Sequence, residues 1–80
     1  MKRGDIMNKF EYQGKALKEL RIRAGYTMQE VSSKQGKTKS WLSEIEYGRK
    51  NVYFEDAKFM CKLYGVTLQD LSDLIDRYEK

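Results

Sequence analysis

Four polar side chains in the middle of the chain have the chemistry to bind a partner through hydrogen bonds. They are Lys39, Ser40, Ser43 and Glu44. If the segment is helical, with about 100° between residues, Leu42 and Ile45 share one side and these four lie opposite or near its edges. A lysine can donate to guanine acceptors, a glutamate can accept from cytosine N4, and hydroxyls do both. The pattern suits reading of base edges in DNA, although an ordinary solvated helix face also carries such residues.

The residue types needed for catalysis are scarce. The sequence has no histidine and a single cysteine, Cys61. It contains no cluster with metal-ligand spacing and no glycine-rich phosphate loop. We therefore expect a binding protein without catalytic residues, metal or cofactor. Cys61 falls on the apolar face of a predicted helix, where cysteine usually behaves as a small buried hydrophobic residue.

Charge is distributed unevenly along the chain. The net charge is +4, but residues 1–51 carry +6 and residues 52–80 carry −2. This asymmetry suits a polyanionic partner on one face, although a solvated surface rich in lysine fits as well. No apolar run is long enough to cross a bilayer, and residues 1–10 lack the apolar core of a secretory signal. We expect a cytoplasmic protein that does not contact a membrane.

Apolar periodicity and capping residues predict an all-α domain. Residues 1–10 lack periodicity and are predicted to form a flexible N-terminal arm before a domain spanning residues 11–80. Thr27 with Glu30, and Thr67 with Asp70, have the spacing of capping boxes. Because β-branched residues are few and nothing alternates with period two, no sheet is expected. Five helices are predicted, over residues 13–24, 27–36, 38–47, 54–64 and 67–78.

The second and third predicted helices are joined by a short turn around Gly36, which is typical of a helix-turn-helix. Over residues 17–71 the chain also resembles the Cro/repressor family of lambda repressor-like DNA-binding domains, with no insertion. The residues that carry the resemblance are Leu17-Lys18-Glu19-Leu20-Arg21, Gly25, Thr27, Gly36, Ser43, Ile45-Glu46, Gly48, the run Leu63 to Leu68, and Leu71.

The resemblance implies a compact five-helix domain whose third helix enters the major groove. The base-reading positions of the family fall on Lys39, Ser40 and Glu44, with Ser43 adjacent. The resemblance also implies that Arg21 pairs with Glu46, against the alternative of two exposed charges. Candidate phosphate contacts are the amide end of the second helix at Thr27 and Met28, together with Lys37, Thr38, Tyr47, Arg49 and Lys50.

Three positions depart from the family. Met28 stands where glutamine is common, so its side chain cannot donate to a phosphate and only the backbone amide remains. Gln35 occupies a position that is usually apolar. Trp41 replaces a small or polar residue and fits two roles: contact with a thymine methyl group or sugar, or cover for the edge of the core.

These features predict a sequence-specific regulator of transcription, a repressor, that binds double-stranded DNA. One short recognition helix buries little surface, so we expect a homodimer on a palindromic operator. Its candidate interface is the apolar face of the last helix, although the same face could instead close the core against the first helix. The residues are Leu71, Leu74, Ile75 and Tyr78. The alternative function is a protein-interaction or antitoxin-type module with weak or no DNA binding.

Overall fold

A computed structural model describes residues 8–80, which form five α-helices and no strand. The all-α, five-helix architecture predicted from the sequence is confirmed. The helices are α1 (Lys9–Ala24), α2 (Met28–Lys34), α3 (Lys39–Glu46), α4 (Phe54–Tyr64) and α5 (Leu68–Glu79).

Helix α1 begins at Lys9, four residues before the predicted start. The cause is a capping box at its N-terminus: Asn8 Oδ1 accepts from the Glu11 amide, and Glu11 Oε1 accepts from the Asn8 amide, both at 2.9 Å. This interaction satisfies two amides that a helix leaves unpaired. Lys9 and Phe10 are therefore helical and do not belong to an arm. The rest of the predicted arm, residues 1–7, lies outside the described residues.

The other helix starts agree with the predicted caps. Thr27, Thr38 and Thr67 each accept a hydrogen bond from the amide three residues later, and Thr27 and Thr67 complete capping boxes. Helix α3 ends at Glu46, one residue earlier than predicted, with Tyr47 as its C-cap.

Helix α1 is the centre of the domain, because it packs against α3, α4 and α5, whereas α2 packs against α3. The core between them is small and mostly apolar. Its largest fully buried apolar side chains are Leu17, Val31, Leu42, Ile45 and Met60. Leu42 and Ile45 come from α3, so burial of its apolar side against α1 determines which side of α3 faces outward.

The apolar face of α5 also packs inward, so the proposed dimer interface at Leu71 and Leu74 is wrong. Both side chains are buried in the core, where α5 packs on α1, and a second chain cannot reach them. Ile75 and Tyr78 are half-buried against the same core. The Tyr78 hydroxyl donates to Glu19 of α1. The predicted apolar face is present, but it completes this domain.

Within residues 8–80, no helix is both long enough and apolar enough to pass through a bilayer.

Candidate nucleic-acid interface

Helix α3 presents its polar side chains to solvent. Lys39, Ser40 and Glu44 are exposed, and Ser43 is half-buried. The Thr38 hydroxyl caps the helix by accepting from the Trp41 amide at 3.0 Å. The first turn of α3 therefore carries exposed hydrogen-bonding groups on a fixed backbone. The structure places the four predicted base-contacting residues on one helix, with Ser43 the least accessible.

The turn between α2 and α3 is held at both ends. Gly36 adopts φ +70°, a left-handed conformation that most side chains disfavour. The Lys37 amide donates to the Ser32 carbonyl at 2.8 Å. Before the glycine, Gln35 Nε2 donates to Asp56 Oδ1 at 3.1 Å. The polar residue at this usually apolar position therefore ties the turn to α4.

Behind α3, Glu46 forms a buried ion pair with Arg21. Arg21 Nε donates to Glu46 Oε2 at 2.7 Å, and Nη2 donates to Glu46 Oε1 at 3.1 Å. The third donor, Nη1, reaches the Tyr26 carbonyl at 2.9 Å. The side chains are only 10 % and 2 % exposed, and the hydrogen bond that Arg21 donates to Glu46 raises the pKa of Arg21. Two parallel hydrogen bonds fix both the distance and the angle between α1 and the end of α3.

Two glycines bring the backbones of α1 and α3 into direct contact beside this pair. A Cβ added at Gly14 would lie 2.5 Å from the carbonyl oxygens of Ile45 and Glu46. At Gly48, which has φ +80°, it would lie 2.5 Å from the Glu11 side chain. Sequence reasoning used Gly48 only as a helix stop and missed Gly14. A glycine inside an amphipathic helix is the signal that was available.

The outward side of α3 carries a second, exposed ion pair. Lys50 Nζ lies 3.1 Å from Glu44 Oε1, and both side chains are 47 % exposed. The Glu44 carboxylate therefore has a cationic partner, and the Lys50 ammonium is already paired with it in the protein without DNA. Next to it, the Arg49 guanidinium lies 5.7 Å from the ring centroid of Tyr47, which is itself exposed. These two cations flank the C-terminal end of α3.

Trp41 lies at the edge of the core. Its side chain is half-buried and packs on the core cluster, which agrees with the second of its two candidate roles. The Lys37 ammonium lies 5.2 Å from its ring centroid, within cation–π range. The ring therefore also helps to position a candidate phosphate-binding lysine.

At the start of α2, a phosphate could be bound by the main chain but not by side chains. Met28 is half-buried and packs on the core. It lines a groove of about 490 Å³ with the exposed residues Ile22 and Tyr47. The Thr27 hydroxyl accepts from the Glu30 amide at 3.1 Å. The Thr27 amide in turn donates to Glu30 Oε1 at 2.8 Å, so a phosphate contact at Thr27 or Met28 stays a prediction that depends on the main-chain amide of Met28.

Two further titratable groups, which are not on the exposed side of α3, are buried. Cys61 is buried, and this burial raises the pKa of its thiol, so the sulfur stays protonated and inert. Burial also raises the pKa of Tyr64, with the Glu46 carboxylate as a further cause. Both side chains belong to the α4 side of the core.

The helix-turn-helix domain family matches residues 14–74 of the chain. Among solved structures, the chain is similar to the clp gene regulator ClgR from Corynebacterium glutamicum. One ClgR structure is 27 % identical, with a TM-score of 0.86, and the match covers 94 % of this chain and 97 % of that chain. In a second ClgR structure the identity is 28 %, the TM-score 0.85, and the coverage 90 % and 77 %. No curated protein matches the chain closely enough to count as similar. The sequence match and the shared architecture agree, and the chain belongs to the helix-turn-helix domain family.

Proposed function

We propose that the protein is a cytoplasmic, sequence-specific repressor that binds double-stranded DNA as a homodimer on a palindromic operator. The observation that carries the proposal is the contrast between the two sides of α3. Its inner side is locked to α1 by the Arg21–Glu46 pair, and its outer side is exposed and polar. The helix-turn-helix family and the similarity to the clp gene regulator ClgR support a DNA-binding transcription regulator.

The proposed readers of sequence are on the exposed first turns of α3. Lys39 would donate to guanine O6 or N7, and Ser40 would donate or accept at a neighbouring base edge. Glu44 would accept from a cytosine N4 amine. Its pairing with Lys50 supports this role, because the lysine offsets the repulsion between the carboxylate and nearby phosphates. Ser43 contributes at the edge, since it is half-buried.

The proposed phosphate contacts surround the reading face. Lys37 and Thr38 precede α3, and Tyr47, Arg49 and Lys50 follow it. The main-chain amide of Met28 would add a contact at the positive end of the α2 dipole, next to Thr27, whose own amide donates to Glu30 Oε1 at 2.8 Å. These groups would fix the register of α3 on the duplex without reading its sequence.

Selection of bound sequences from a random duplex pool tests the proposal. We expect an enriched palindrome with two half-sites about one helical turn apart. On that duplex the logarithm of the association constant should fall linearly with the logarithm of salt concentration, by about 0.9 per phosphate neutralised. No enrichment, together with absence of duplex binding at low salt, would contradict DNA binding and favour the protein-interaction module.

A repressor is distinguished from other regulators by a reporter gene placed downstream of the selected palindrome. Expression of the protein should lower reporter output, and the variant Lys39→Ala should restore it. Lys80→Ala is the matched control, because Lys80 is an exposed lysine at the end of α5. Reporter output that rises with the protein would identify an activator.

A further inference from the structure

Helix α4 has an exposed stripe that the proposed DNA contacts do not use. The stripe consists of Glu55, Phe59 and Lys62, which lie at i, i+4 and i+7 and so share one side of the helix. The opposite side is buried. Phe59 is 39 % exposed at the centre of the stripe, between Glu55 and Lys62, and the exposed Lys58 lies beside it with its ammonium 5.7 Å from the Phe54 ring centroid.

The stripe is complementary to itself under a two-fold axis. If two copies of α4 pack antiparallel about a point near Phe59, the Glu55 carboxylate of one copy faces the Lys62 ammonium of the other. The two Phe59 rings then meet close to the axis. A symmetric dimer needs such a surface, because each patch must fit a second copy of itself. A parallel pairing would instead place Glu55 against Glu55 and Lys62 against Lys62.

Two further exposed aromatic residues stand at the start of α4, outside the stripe. Tyr53 and Phe54 are 73 % and 62 % exposed at the start of α4. They follow directly after the loop that carries Arg49 and Lys50, the proposed phosphate contacts. In the antiparallel pair the two starts of α4, and with them the two copies of that loop, lie on opposite sides of the two-fold axis.

We propose that the occupant of the α4 stripe is a second copy of this chain, related by a two-fold axis. This inference deepens the proposed function, since it supplies the dimer interface that Leu71 and Leu74 cannot form. One helix pair covers less than the roughly 800 Å² per partner of a stable complex. The dimer is therefore weak in solution and is strengthened when both copies bind one operator.

Charge reversal tests the pairing by sedimentation equilibrium without DNA, at protein concentrations up to about 1 mM, where small interfaces associate. Glu55→Lys and Lys62→Glu each place like charges together and should weaken association about fivefold. The double variant Glu55→Lys/Lys62→Glu should restore it. The double variant still has Lys in place of Glu55 in the first turn of α4, where a positive charge is unfavourable for the helix dipole. Restored association therefore cannot be caused by a more stable α4 helix. Asp76→Lys on α5 is the matched control and should leave association unchanged.

A wild-type chain that stays monomeric throughout this range overturns the proposal, as does a double variant that is no better than either single one. A second comparison separates the two candidate faces. Phe59→Ala should weaken association about tenfold through lost apolar burial, whereas Ile75→Ala on α5 should not. The reverse result would assign the interface to α5.

The outcome is separable from that of DNA binding. If the selection experiment finds no DNA motif while the charge-swap pattern holds, the proposed function fails and the α4 interface stands. If a single half-site is bound equally by wild type and Phe59→Ala, but only wild type binds the palindrome cooperatively, both are supported.

Discussion

Two glutamates on α3, two positions apart, have opposite environments. Glu46 is on the inner side, with its side chain 2 % exposed and its two oxygens bonded to Arg21. Glu44 is on the outer side, 47 % exposed and paired with Lys50. The buried pair fixes the orientation of α3, whereas the exposed pair lies on the surface that is proposed to meet DNA. The same residue type on one short helix is therefore structural at one position and a proposed base contact at the other.

The largest effect is expected from breaking the buried pair. Glu46→Ala leaves the Arg21 guanidinium buried without its carboxylate, which should lower the free energy of unfolding by about 3–5 kcal/mol. Urea unfolding followed by circular dichroism measures the change. Glu44→Ala is the matched control on the outer side. A loss below about 1 kcal/mol in Glu46→Ala would show that the pair behaves like a surface ion pair.

The second-largest effect is expected where Gly14 of α1 meets the backbone of α3, beside the Arg21–Glu46 pair. Alanine favours helices over glycine by about 1 kcal/mol, so propensity alone predicts that Gly14→Ala stabilises α1. The close approach to the carbonyls of Ile45 and Glu46 predicts the opposite, a net destabilisation of about 1–3 kcal/mol. The measurement is again urea unfolding, with Lys18→Ala on the exposed side of α1 as control. Stabilisation by Gly14→Ala would mean that α1 and α3 can separate without cost.

On the outer side, Lys39→Ala should cost about 1–3 kcal/mol in binding to the selected operator and relax preference at one base pair. Arg49→Ala should weaken binding to all duplexes alike and reduce the salt slope by about one. Titrations of operator and scrambled duplexes at several salt concentrations compare the two variants, with Arg77→Ala on α5 as the matched control for Arg49→Ala. Identical behaviour of both variants across sequences would refute the division into readers and positioners.

A third glutamate, Glu19 on α1, is intermediate, with a side chain 30 % exposed. The hydrogen bond from Tyr78 lowers the pKa of Glu19 from its ordinary 4.5, and the same bond raises the pKa of Tyr78. Because the folded-state pKa of Glu19 is lowered, its contribution is present above pH 4.5 and is lost as pH falls through the folded value. Tyr78→Phe should cost about 1 kcal/mol or less at pH 6, and the cost should shrink near pH 3. A cost that does not depend on pH would indicate lost packing and not a lost hydrogen bond.

The smallest effect on stability is expected at the exposed pair itself. Glu44→Ala should change the free energy of unfolding by less than about 0.5 kcal/mol. It should leave the slope of the salt dependence of DNA binding unchanged, because Lys50 is proposed to contact a phosphate in the wild-type complex as well. A slope steeper by about one unit would mean that Glu44 holds Lys50 away from phosphate in the wild-type protein.

Much of the architecture could be read from the sequence because it depends on local interactions. A threonine cap needs only the amide three residues on, so the starts of α2, α3 and α5 at Thr27, Thr38 and Thr67 were predictable. The Asn8–Glu11 capping box has the same local spacing and would have given the start of α1. It was not predicted because residues 1–10 show no apolar periodicity, which favoured an arm. The face of α3 that carries Lys39, Ser40 and Glu44 followed from helical geometry.

The partner of each face could not be read in this way, because it depends on contacts between residues far apart in the chain. The apolar positions of α5 fit a dimer interface and a core equally well, and the tertiary structure buries Leu71 and Leu74 against α1. Gln35 departs from the family in residue type, and only the tertiary structure shows that its amide donates to Asp56 of α4. The pairing of Arg21 with Glu46 was implied only by family resemblance, and the approach of Gly14 to Glu46 was not foreseen. The sequence by itself determined the helices and their amphipathic faces through local bonds and periodicity, whereas packing decided which faces meet and which side of α3 is left open.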